Sequence, residues 1–162
     1  MNEKKIEITV YEAAGIHELT SEDAALLEKA MDATRRSYAP YSHFHVGAAA
    51  LLDNGETVCG SNQENAAYPS GLCAERVALF YATSQFPQAA IRAIAISSSV
   101  NGKANPEPVY PCGSCRQVLL ECESRSGKPV KVIMGGTQKI HIVHSVGDLL
   151  PLGFELSMNN EQ

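Results

Sequence analysis

The sequence predicts an α/β fold, a three-layer α-β-α sandwich on a mixed sheet of about five strands. Three observations predict it. Helix-length segments alternate with short strand-like ones, the pattern of helices layered on a sheet. Asp53-Asn54-Gly55-Glu56 is a strong turn signal between two strand-like runs, so the first two strands form a hairpin and the sheet is not wholly parallel. The chain has 162 residues, 44 % of them apolar, which suits one domain around one packed interior.

Each element has its own signal. Residues 20–37 read as the first helix: Thr20 or Ser21 caps it, Glu22 and Asp23 suit the positive end of the dipole, and Arg35 and Arg36 suit the other. Leu26, Leu27, Ala30, Met31 and Thr34 share one face, and Ala39-Pro40-Tyr41-Ser42 stops the helix. Residues 46–52 and 57–60 form the hairpin. The small residues Gly47, Ala48, Ala49 and Ala50 indicate that something packs closely on the first strand. A second helix is expected over 72–83, capped by Ser70. The alternation of Ile91-Arg92-Ala93-Ile94-Ala95-Ile96-Ser97 predicts a strand, and residues 97–110 a loop rich in Ser, Asn and Pro. A third helix is expected over 112–123, strands over 130–134 and 140–143, and a short helix over 145–150 ended by Pro151.

Composition narrows the function classes. The formal charge is −5, from 13 basic and 18 acidic residues, and no dense run of Lys or Arg occurs. That disfavours a nucleic-acid partner and favours a small neutral ligand. No apolar run approaches the length of a membrane span. Ile6-Glu7-Ile8-Thr9-Val10 is too short and too polar for the apolar region of a signal peptide, so a cytoplasmic protein with no membrane partner is expected. Five cysteines is an odd number, and their spacing is not that of a secreted disulfide scaffold.

The cysteines carry the chemistry. Cys73-Ala74-Glu75 and Pro111-Cys112-Gly113-Ser114-Cys115 both fall where a helix begins, and helix N-termini stabilise thiolates. A lone Cys112-x-x-Cys115 reads as a redox pair or half of a structural zinc ribbon about as readily as part of a catalytic site. Cys73 and Glu75 shift the balance. Three thiolates hold a zinc ion and leave the fourth tetrahedral position to water, the mark of a catalytic site. The remaining cysteines, Cys59 and Cys122, are not spaced as ligands and are expected to be buried free thiols. Three thiolates overcompensate a divalent ion, and Arg76 with the two helix N-termini offers positive compensation. Glu75, beside a ligand, is placed to move protons. His43 and His45 are not assigned as ligands, because three sulfurs already complete the protein's share.

At these residues the chain resembles the small, homotetrameric type of cytidine deaminase. The resemblance extends over Tyr38-Ala39-Pro40-Tyr41-Ser42-His43-Phe44-His45-Val46-Gly47-Ala48-Ala49, Asn62-Gln63-Glu64-Asn65-Ala66-Ala67-Tyr68-Pro69, both cysteine motifs, and Leu149-Leu150-Pro151-Leu152-Gly153-Phe154. It implies a single cytidine-deaminase-like catalytic domain spanning residues 1–162, with residues 1–18 as an N-terminal extension to which no structure is assigned; the first 15 or so residues show no match. It implies one zinc per subunit held by Cys73, Cys112 and Cys115, with Glu75 as the proton shuttle and Arg76 bonded to the thiolates. Asn62 and Glu64 would bind the sugar 3′-hydroxyl, Phe44 would stack near the base, and Ala74 would bond it through the backbone. Phe154 would reach a neighbouring subunit's site, with Tyr41 and Tyr68 near subunit contacts. Taken alone, Asn62 and Glu64 read as a polar surface loop and Phe44 as core; the resemblance reverses those readings. The implied reaction is hydrolytic deamination of cytidine and 2′-deoxycytidine to uridine products and ammonia, in pyrimidine salvage. Rival readings are an aminonucleoside-antibiotic deaminase, a nucleic-acid editing deaminase and a structural zinc module. Tyr110, where the family often has Ser, and a long segment over 100–109 depart from the pattern beside the expected pocket.

Overall fold

The computed structural model of the chain describes residues 1–156. In chain order the elements are β1 (Tyr11–Ala13), α1 (Ser21–Ala33), β2 (Phe44–Leu52), β3 (Thr57–Ser61), α2 (Ala74–Gln85), β4 (Ile91–Val100), β5 (Lys103–Ala104), α3 (Gly113–Ser126), β6 (Lys131–Gly135) and β7 (Ile140–Val143). They form one sheet in the order β1-β7-β6-β4-β2-β3, with β5 beside the end of β4. Only β4 and β6 run parallel; the other pairs are antiparallel. The sheet is therefore mixed, as expected from the hairpin. Its body is five strands, β2, β3, β4, β6 and β7, enlarged by the short β1 and β5.

The period-2 alternation of the strands divides the core into two layers. Ala49, Leu51, Ala93, Ala95 and Ile133 face one side and pack against Leu26, Leu27 and Ala30 of α1. Ala48, Ala50, Leu52, Ile94 and Ile96 face the other, against Ala78, Leu79 and Ala82 of α2 and Leu119 of α3. Two glycines set how closely the helices lie. A Cβ on Gly47 would stand 2.1 Å from the Ala30 carbonyl oxygen, and one on Gly60 2.5 Å from the Ala78 nitrogen. The small residues of the hairpin are thus the seat of α1 on one face and α2 on the other.

Several boundaries differ from the sequence expectation for local reasons. Thr20 caps α1, accepting from the Asp23 N–H at 3.2 Å, but the α-helix closes at Ala33 and tightens into a 3₁₀ turn over Thr34–Arg36. The second helix does not begin at Leu72. Both backbone groups of Leu72 pair with Gln63, N–H to carbonyl at 2.9 Å each way, so the helix starts after Cys73 and Ser70 does not cap it. The expected loop over 97–110 contains more order: β4 runs to Val100 and turns back as β5 through Asn101 and Gly102, whose φ of 51° and 73° are those of a type I′ hairpin. The short helix over 145–150 is a single 3₁₀ turn, Val146–Asp148, capped by Ser145. Within the N-terminal extension, Tyr11–Ala13 is a strand on the open edge of β7. Cys122 is buried as expected, whereas Cys59 is only half-buried on β3.

Replacing Gly60 with alanine forces α2 off the sheet. Gly60→Ala is expected to destabilise the protein by about 1–3 kcal/mol, read as a lower midpoint in urea at fixed protein concentration. Gly113→Ala, whose added carbon would meet nothing within 4 Å, serves as the control with a near-unchanged midpoint.

Candidate active site

The two helix starts meet. Cys73 is the N-cap of α2 and Cys112 the N-cap of α3, both with extended backbone and neither side chain making a cap bond to its helix backbone. Cys115 lies in the first turn of α3, fully buried. The Sγ atoms of Cys73 and Cys112 are 3.8 Å apart and those of Cys112 and Cys115 3.5 Å apart, and all three fall within 4.8 Å of one another. Sulfurs around one tetrahedral zinc, with bonds of about 2.3 Å, stand about 3.8 Å apart. The donor set fits a thiophilic divalent ion with no further protein ligand among the described residues.

Charge is arranged to match. The Arg76 Nη2 donates to the Cys73 Sγ at 3.8 Å, and Arg76 Nε is a buried polar atom with no protein partner among the described residues. The Cys73 thiol is pushed down to about 5, first by its hydrogen bond with Cys115, then by Arg76 and Cys112 against the opposing cost of burial. Cys115 is pushed up by that same bond and by burial. Glu75, in the first turn of α2, is 4 % exposed. Burial, and after it the neighbouring Cys73, raises its pKa above the usual carboxylate range. A buried carboxyl that takes up a proton readily, beside a set of thiolates, is suited to accepting and returning protons.

A cleft of about 510 Å³ opens against Cys73 and Arg76, within the usual range for small-molecule sites of about 300–1,000 Å³. Tyr41, Asn62, Glu64 and Tyr68 line it. The rings of Tyr41 and Tyr68 meet edge-on, 6.0 Å between centroids. Asn62 is a brace as well as a wall. Its Oδ1 accepts from Ser37 Oγ at 2.5 Å and from the Val46 N–H at 2.8 Å, and its Nδ2 donates to the Phe44 carbonyl at 2.9 Å. One amide hydrogen is left over. Glu64 holds the loop across the cleft, accepting from the N–H groups of Tyr41 (2.9 Å) and Ser42 (3.3 Å) and from the Ser42 hydroxyl. These bonds, the hydroxyl's first, hold its carboxyl below the usual range.

Other expected residues do not line the cleft. Phe44 opens β2, tied to Asn62 through its carbonyl. Ala74 is fully buried at the start of α2. Phe154 lies away from its own chain's cleft, 68 % exposed, with its carbonyl accepting from Gln117 Nε2 at 2.8 Å. Gln63, Asn65 and Leu72 line the cleft without having been singled out. Their place depends on the Gln63–Leu72 bridge, a pairing with no short-range signal. Arg116, the residue after Cys115, ties Pro111 to the C-terminal segment, its Nε donating to the Pro111 carbonyl at 2.9 Å and its Nη1 to that of Leu149 at 2.7 Å.

Layered helices on a mixed sheet, three converged thiols of which Cys73 lines a cleft, and a buried carboxyl beside them define a zinc-dependent enzyme of the α/β class. Comparison with known proteins makes the class specific. The sequence model of the cytidine and deoxycytidylate deaminase zinc-binding region matches residues 20–130. A cytidine deaminase of Halalkalibacterium halodurans is 38 % identical over 137 residues, covering 84 % of this chain and 96 % of that protein. One from Mycobacterium tuberculosis is 40 % identical over 132 residues, 78 % of this chain and 85 % of that one. The crystal structure of the Burkholderia pseudomallei cytidine deaminase superposes with a TM-score of 0.70 at 38 % identity, covering 84 % of this chain and all of that chain. The chain belongs to the cytidine and deoxycytidylate deaminase family.

Removing one sulfur tests the ligand set. Cys112→Ala is expected to purify with far less than one zinc per chain by elemental analysis, while Cys122→Ala keeps a full complement. Stoichiometric zinc in Cys112→Ala removes that residue from the set.

Proposed function

We propose that this protein deaminates cytidine and 2′-deoxycytidine hydrolytically, yielding uridine or 2′-deoxyuridine and ammonia, and serves pyrimidine salvage in the cytoplasm. The observation that carries this reading is the buried Glu75 beside three converged sulfurs, one of which, Cys73, lines the cleft, in a chain of this family. Cys73, Cys112 and Cys115 would hold the zinc, and Arg76 would offset the excess negative charge of the thiolates. Bound there, zinc supplies Lewis acidity and a water of lowered pKa.

The protein's own part is binding, orientation and proton transfer. Water adds to ring C4 and the C4–N bond to the exocyclic amine breaks. Glu75 takes a proton from the attacking water, passes it to N3, and moves a further proton to the departing amine, so that ammonia leaves and a carbonyl remains. The raised pKa of Glu75 suits both halves of that exchange. Asn62 has one N–H to donate to a sugar hydroxyl. Glu64, with three of its roughly four acceptor positions used, has one left to accept from it. A site that both donates to and accepts from a hydroxyl rejects ligands lacking it. Phe44 would stack near the base, and Ala74 would bond it through the backbone. The acidic net charge of −5 suits a neutral nucleoside better than a polyanion.

The same reading makes the active unit a homotetramer with sites shared between subunits. Supporting it is the quantity of large apolar surface left open on one chain, including Tyr41, Tyr68, Phe80, Tyr81, Leu152 and Phe154. Phe154 would complete a neighbour's cleft.

Glu75→Ala is expected to keep its zinc and to lose kcat on cytidine by about 10²–10⁴-fold, followed as loss of absorbance on deamination; near-normal turnover would refute the shuttle. Sharing of sites has its own check. Phe154→Ala and Glu75→Ala, each weak alone, are expected to regain activity when co-expressed as mixed oligomers. If each site draws only on its own chain, the mixture will show no more than the sum of the two variants.

A further inference from the structure

Three polar side chains outside the cleft form a chain that ends beside a zinc ligand. The Glu12 Oε2 lies 2.8 Å from the His141 Nε2, and the His141 Nδ1 lies 2.9 Å from the Tyr110 hydroxyl. The first contact is built into the sheet, because Glu12 and His141 are directly paired across β1 and β7. The second reaches the segment before α3: Tyr110, Pro111, then the N-cap Cys112. β1 lies outside residues 20–130, where the family model matches.

The partners assign the protons. An ionised carboxylate only accepts, so the His141 Nε2 carries the hydrogen and Nδ1 is left to accept from Tyr110. The Glu12 carboxyl is held below the usual range, chiefly by that hydrogen bond. Glu12 is 61 % exposed and His141 19 %, so their hydrogen bond contributes little to stability. What it contributes is orientation. It fixes the ring and tautomer of a histidine that in turn holds a tyrosine. Pro111 is tied on its other side by Arg116. Cys112 is the most exposed of the three sulfur residues, and its side chain makes no cap bond to the backbone of its own helix, its sulfur lying 3.5 Å from the Cys115 Sγ. Its sulfur is therefore placed largely by the backbone that delivers it.

We propose that Glu12 and His141 are positioning residues that hold Tyr110, and through it the Pro111–Cys112 entry to α3, so that the N-terminal strand helps to retain the zinc. This rests on the reading of Cys112 as a ligand. Partners that orient a ligand directly change metal affinity by about 10–100-fold. These act through the backbone, so the lower end of that range or somewhat less applies.

The test is zinc transfer from the full-length, zinc-loaded protein to a chromophoric chelator. Tyr110→Phe and Glu12→Ala are each expected to release zinc roughly three- to tenfold faster than the parent. The double variant is expected to be no faster than the quicker single, because both act along one path. Glu12→Gln restores most of the parent rate, since its amide oxygen still accepts from Nε2–H; a strand that merely covers the sheet edge predicts no such coupling or rescue. Parental release rates in both singles, multiplying effects, or a Gln variant no better than Ala each overturn the proposal. Failure of the underlying reading shows separately, as full zinc in Cys112→Ala.

Discussion

The separation of two helix N-termini governs this molecule. Cys73 and Cys112 come from opposite sides of the β4–β5 segment in sequence, and each is the last non-helical residue before its helix. Their sulfurs converge only because α2 and α3 pack on the same face of the sheet. The absence of a side chain at Gly60 lets α2 settle against β3. An N-terminus also supplies partial positive charge where thiolates must form. The packing of two helices on a sheet is therefore also the electrostatic preparation of the site.

Around that convergence the polar groups fall into two kinds. Arg76 and Glu75 are adjacent on α2 but face opposite demands: the guanidinium points to Cys73, while the carboxyl is driven toward its neutral form by burial. Opposed environments on neighbouring residues allow one short stretch to stabilise negative charge and also to carry protons. The cleft is held by groups that serve twice. Asn62 joins Ser37, Phe44 and Val46 through its side chain, and Glu64 gathers the Tyr41–Ser42 loop. Ligand contacts proposed for such residues would come from a rigid frame, because the bonds that place them are already formed.

The edge of the sheet shows how sequence outside the family's shared region joins the same frame. β1 covers the open side of β7, and its Glu12 sits opposite His141, which faces Tyr110. The strand pairing at one edge of the molecule and the start of α3 are linked by side chains as well as by the sheet. Lys139, bonded to Glu107 at 3.2 Å, ties the β6–β7 turn to the segment after β5 in the same region.

Much of this was legible in the residues themselves. Local chemistry located the helices, because caps and apolar periodicity act within one or two turns, and Asp53-Asn54-Gly55 marked the hairpin. The two cysteine motifs and Glu75 stood out because ligand spacing is a short-range property. What failed to show depends on distant partners: α2 starts after Cys73 because Leu72 is taken by Gln63, and Tyr11–Ala13 is a strand only because β7 presents an unpaired edge. Asn101-Gly102 was a turn signal in plain view, but its return as β5 required β4 to continue beyond Ser97. The sequence by itself determined which atoms could bind metal and carry protons, since those properties belong to side chains. Tertiary structure alone decided that three sulfurs meet, that Glu75 is buried and that Glu12 meets His141, because distance and dielectric are properties of packing.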